Sequence, residues 1–139
     1  MTRTLALMLT MVAAAGAVPA LAQTDRAVDA RYTRAFSTCL ETGDAARGVT
    51  SATMSCMGEE NDRQDVRLNR AYKAAMKRLN SAKKARLRSS ERAWIGQRDS
   101  TCKKAADEVG GGSASGLVYS NCFLDETIKR TIWLERYKG

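Results

Sequence analysis

The sequence predicts an all-α fold, a small bundle of about four helices stapled by two disulfides. Three observations lead there. The only proline is Pro19, so nothing after it forbids long helices. Apolar residues recur at helical spacing in four successive stretches, and no strand-like alternation competes with them. Four cysteines, Cys39, Cys56, Cys102 and Cys122, follow a segment that reads as an export leader.

That leader occupies residues 1–22. Arg3 gives a short positive start, Leu5 to Val18 is a largely apolar run, and Ala20, Leu21 and Ala22 supply the small-x-small pattern of a cleavage site. Cleavage is expected before Gln23, leaving a single domain over 23–139 in the periplasm or secreted. The apolar run is shorter than the roughly 20 residues that span a bilayer. No transmembrane segment is therefore expected after leader removal, and no cysteine stands at the cleavage point to carry a lipid.

The helices are expected in this order. A first helix over about Asp25 to Thr42 puts Tyr32, Ala35, Phe36 and Cys39 on one side and stops at Gly43, with 43–50 read as a loop. A second, about Ser51 to Leu79, carries the stripe Leu68, Tyr72, Ala75, Met76 and Leu79, with Asn61 and Asp65 on the same side and Arg63, Arg67, Arg70, Lys77 and Arg78 opposite. Asn80 and Ser81 make the turn and cap. A third, about Ala82 to Asp107, aligns Leu87, Glu91, Trp94, Arg98 and Cys102 on one face. Gly110 to Gly112 end it, and Ser113 caps a last helix through Leu117, Leu124, Ile128, Thr131 and Ile132.

Composition removes several functions. There is no histidine, so the commonest general base and zinc ligand are absent. The cysteines are separated by 17, 46 and 20 positions, unlike the close pairs of a structural zinc site, and no Cys-x-x-Cys redox motif occurs. Metal and cofactor are not expected. Disulfide pairing of Cys39 with Cys56 and of Cys102 with Cys122 is expected, because each pair flanks one inter-helix loop.

Charge is uneven. The chain after the leader carries 22 Lys and Arg against 15 Asp and Glu, a net +7. Between Arg63 and Lys104 alone stand 14 cations and only three acids, Asp65, Glu91 and Asp99. A merely solvated face mixes signs, so this stretch suits an anionic envelope polymer. Nucleic acid is not expected of an exported chain without a nucleic-acid module.

Read in order, Cys56 and Glu60, Asp65-x-x-Leu68-Asn69-x-x-Tyr72, Leu79, Leu87, Trp94-Ile95-x-x-Arg98-Asp99-x-x-Cys102, Gly111-Gly112-Ser113, Cys122, Thr127, Arg130 and Leu134 resemble the LprI-like lysozyme-inhibitor domain family over roughly Cys39 to Leu134. The resemblance implies a secreted or envelope helical domain with paired cysteines, and inhibition of lysozyme. Two departures stand out: Glu91 where the family commonly has Gln, and no lipid-anchoring cysteine.

Two function classes follow: a binding protein that inhibits lysozyme-type muramidases, and a non-catalytic module that holds anionic envelope polymers on its basic helices. Animal-type lysozymes are themselves basic, so an inhibitory contact needs local acids, for which Glu59, Glu60 and Asp62 are the candidates. Those three also suit the start of a helix through its dipole. Asp65, Asn61, Glu91 and Arg98 lie on otherwise apolar stripes, and Arg98 is expected to pair with Asp65 or Glu91 across helices. Tyr72 and Trp94 read as core anchors. An enzyme is not expected: Glu91 and Asp99 lie roughly 12 Å apart along one helix, too far for paired-carboxylate chemistry. Gly111, Gly112 and Ser113 lack the Gly-Lys-Ser/Thr ending of a phosphate loop and read as a helix break.

Overall fold

The computed structural model describes the backbone of residues 20–139 and the side chains from Thr24 onward. Most of the expected leader therefore lies outside the described residues; the backbone of residues 20–22 forms the first turn of a helix. The described chain is all-helical, with six helices rather than about four: α1 (Ala20–Asp29), α2 (Arg34–Leu40), α3 (Gly43–Ala46), α4 (Thr50–Arg78), α5 (Ser81–Glu108) and α6 (Gly112–Arg136). None of these helices is long and apolar enough to cross a membrane.

The difference in count arises at the N-terminal end. The single expected helix over 25–42 breaks at Thr33, whose extended backbone and side chain cap α2 by accepting from Phe36 N. Helix α2 stops at Leu40, so Gly43 is not its C-cap. With φ 56°, Gly43 instead opens the one-turn helix α3 inside the expected loop.

The three long helices follow their sequence signals more closely. Asn80 caps α5, its Oδ1 accepting from Lys83 N at 3.0 Å. Gly110, Gly111 and Gly112 all take positive φ and turn the chain into α6. The cap of α6 is Gly111 rather than Ser113, which lies exposed in the first turn.

Although α4 and α5 are joined by a tight turn, both pack chiefly on α6, which is the central helix. Its buried residues Leu124, Thr127, Ile128, Thr131 and Leu134 recur at helical spacing. The Thr127 and Thr131 hydroxyls donate to the carbonyls of Phe123 and Thr127, one turn back, so their burial leaves no unsatisfied donor.

Two apolar clusters result. Leu68, Ala71, Ala75, Leu79, Leu87 and Leu134 form the larger, flanked by Tyr72, Met76, Trp94 and Tyr137. Phe36, Cys56 and Leu124 form the smaller, under α2 and α3. Cys39 of α2 is bridged to Cys56 of α4, and Cys102 of α5 to Cys122 of α6, with Cα atoms 5.8 and 5.4 Å apart. No free cysteine is present.

Candidate functional site

Because α4 and α5 lie on α6 rather than on each other, a groove opens between them. Each helix lines it with positions i, i+3, i+4 and i+7: Asp65, Leu68, Asn69 and Tyr72 from α4, and Glu91, Trp94, Ile95 and Arg98 from α5. The cavity measures about 260 Å³. All but Glu91 belong to the motif residues that carry the family resemblance. Tyr72 and Trp94 border the larger core cluster while also facing the groove, and Ile95 is 44% exposed.

The polar residues divide into neutralised and free groups. Arg98 does not pair with Asp65 or Glu91. Its guanidinium lies 3.7 Å from the Phe123 ring centroid and 4.9 Å from that of Trp94, and its charge is met by neighbouring Asp99 at 2.9 Å. Glu91 accepts from Arg130 of α6, at 2.8 Å from Nε, and this pair is nearly enclosed. Neither expected pairing forms because Glu91 and Arg98, both on α5, turn toward Arg130 and Phe123 of α6 rather than toward each other or Asp65 of α4. Asp65 is exposed and, among the described residues, its carboxylate accepts only from Asn69 Nδ2, at 2.9 Å, with no cation paired to it.

Arg130 was the residue sequence reasoning left without a role. It bonds Glu91 and Ser90 of α5 and stacks 3.8 Å from the Trp133 ring centroid, with Trp94 at 5.6 Å. Its place in the motif set, three residues before Trp133, was the available signal. Asp99 sits beside the groove as the partner of Arg98. Gly111, the cap of α6, and Gly112 and Ser113 in its first turn line no part of it.

The three acids nominated for partner binding separate. Glu59 is exposed and 3.7 Å from Arg63, and Asp62 is exposed with no ion-pair partner among the described residues. Glu60 is fully buried and leaves the set of contact candidates. Its carboxylate accepts from Thr33 N and Oγ1, Arg63 Nε and Gln64 Nε2, at 2.5 to 3.1 Å, and so ties the cap of α2 to α4. The signal was in the spacing: Cys56, Glu60, Gln64 and Leu68 step by four, placing Glu60 on the dry stripe.

Burial alone would raise the Glu60 pKa, but the hydrogen bonds from Thr33, Arg63 and Gln64 outweigh it and hold the carboxyl below its ordinary value of 4.5. A depressed folded-state pKa gives stability that is fully present above about 4.5 and lost as pH falls through the folded value, because the unfolded chain takes the proton first. Urea unfolding from pH 7 down to pH 3 should therefore show a steeper acid loss in the wild type than in Glu60→Gln. Parallel curves would mean that Glu60 does not report the acid transition.

Charge is segregated along the molecule. Arg70, Lys73 and Lys77 of α4 and Arg86, Arg88 and Arg92 of α5 are exposed and, among the described residues, form no ion pair. The residues after the expected leader that fall outside 63–104 carry 12 acids against eight cations. Several of these acids, Glu41, Asp44, Glu59 and Asp62, belong to α4's first half or to the segment of α2 and α3 packed against it.

Comparison with known proteins places this architecture. A family model described as "Lysozyme inhibitor LprI" matches residues 41–134, the span from the end of α2 to near the end of α6. An uncharacterised protein of Rhizobium meliloti (strain 1021) is 27% identical over 106 residues, covering 66% of this chain and 76% of the relative. No solved structure matches. With the family match taking in both groove helices, the central helix and three of the four bridged cysteines, the chain belongs to the lysozyme inhibitor LprI family.

Proposed function

We propose that the chain, as the domain over 23–139, is an extracytoplasmic inhibitor that binds a lysozyme-type muramidase and blocks it without turnover of its own. The observation that carries this reading is the family match over 41–134. Two bridges, which suit an oxidising compartment, and a leader-like N-terminus agree with it. A rigid helical body with every described cysteine engaged and no histidine is adequate for an inhibitor, which needs a shaped surface and no reacting group.

The contact is assigned to the acid-bearing end, at Glu59 and Asp62. A basic lysozyme is repelled by the α4–α5 hairpin tip and steered toward the opposite half by the same field. The charge reversals Glu59→Lys and Asp62→Lys should slow association with a basic lysozyme and reduce its salt dependence. Both side chains are exposed, so thermal stability should stay within about 0.5 kcal/mol. Unchanged association kinetics in the double variant would move the contact elsewhere.

A further inference from the structure

Asn69 stands where two features meet. It lines the groove with Asp65, Tyr72, Trp94 and Arg98, and it also shares an outward surface depression of α4 with Arg70, Lys73 and Lys77. By helical spacing, Asn69, Lys73 and Lys77 follow one another at steps of four along the lip. The groove is thus continuous with a cationic margin whose charges have no acid to meet within the described molecule.

The two parts ask for different groups on one ligand. Inside the groove, Asp65 offers an exposed carboxylate that only accepts hydrogen bonds, and Asn69, whose amide nitrogen donates to the Asp65 carbonyl and carboxylate, offers its own carbonyl oxygen as a second acceptor. Beside them, Tyr72, Trp94 and Ile95 present apolar surface. A hydroxyl-rich ring with one apolar face satisfies all of these: its hydroxyls donate to Asp65 and its face rests on the aromatic edge. The margin of Arg70, Lys73 and Lys77 asks for negative charge a few ångströms away.

We infer that the groove and its cationic margin bind an anionic glycan strand, with sugar rings along the α4–α5 groove and acidic substituents on Arg70, Lys73 and Lys77. A simple polyanion fits less well, because it brings neither a ring face for Tyr72, Trp94 and Ile95 nor hydroxyls to donate to Asp65. A lipid leaflet is flat and reaches the margin but not the groove. This surface is separate from Glu59 and Asp62, so it does not depend on the inhibitory reading.

The test uses the domain over 23–139 and three probes of matched length: oligoalginate, which carries a carboxylate on each ring, neutral chitohexaose, and polyphosphate. Calorimetric titration at moderate salt should rank oligoalginate tightest, with polyphosphate weaker by about tenfold or more. The triple variant Arg70→Ser, Lys73→Ser, Lys77→Ser should lose about tenfold in oligoalginate affinity. Asn69→Ala and Ile95→Ala, both at exposed positions, should each weaken it with an unchanged melting temperature. Two results overturn the assignment: no binding of oligoalginate, or equal affinity for polyphosphate with Asn69→Ala and Ile95→Ala without effect, which is attraction by charge alone. Lysozyme inhibition by the same variants reports separately on the acid-bearing end and should be retained.

Discussion

Arg130→Ala is expected to destabilise the fold by about 3 kcal/mol, the cost of stranding an enclosed carboxylate. The Arg130 and Glu91 side chains are only 11% and 15% exposed, and their closest N to O distance is 2.6 Å. The guanidinium also holds Ser90 and lies against Trp133, so one substitution removes an ion pair and a second hydrogen bond between α5 and α6 and a cation–π contact within α6. In a domain of this size the loss corresponds to a fall of roughly 10 °C in melting temperature.

A double-mutant cycle separates the pair from its surroundings. Arg130→Ala with Glu91→Ala should recover part of the loss, because the carboxylate left unpaired by the single change is gone. Glu91→Gln keeps a carbonyl oxygen that accepts from Arg130. It should cost about 1 kcal/mol, the difference between a charged and a neutral hydrogen bond. Strictly additive single losses would contradict the coupling.

Removing the Cys102–Cys122 bridge should cost about 3 kcal/mol by the loop-entropy account, since it closes a separation of 20 residues across the glycine turn. The Cys39–Cys56 bridge closes 17 residues and carries a similar entropy. The two losses should nevertheless differ in kind. Cys102 is buried where α5 meets the central helix, so its loss is expected to lower the melting temperature of the whole domain. Cys39 ties short α2 and α3 over the smaller cluster, so its loss should first free that segment. Limited proteolysis with thermal unfolding of Cys→Ala pairs distinguishes them: cleavage within residues 30–49 before global melting is expected only for the second. Identical cleavage patterns would contradict this division.

The long helices were legible because their signals are local. Asn80, the glycine triplet and the Leu68 to Leu79 stripe act within one or two turns, and the cysteine pairs flank the loops they close. The split of the first expected helix was not legible in that way. It depends on Thr33 being held by Glu60, 27 residues away, and on α2 and α3 packing against α4. The groove was hidden for a related reason. Period alone put Tyr72, Trp94 and Arg98 on inward faces, but whether those faces meet each other or straddle a third helix is decided by α6. The same ambiguity gave Arg98 an expected partner on α4 when its surroundings lie on α5 and α6.

Muramidase inhibition is tested most directly by lysis of purified peptidoglycan with a basic lysozyme, titrated with the domain over 23–139 at fixed enzyme and low salt. The expected result is a stoichiometric fall in initial lysis rate, with the inhibitor recovered intact and the Glu59→Lys, Asp62→Lys variant requiring a higher concentration for the same effect. Full lysis at every ratio, with lysozymes of both high and low net charge, would contradict the inhibitory reading.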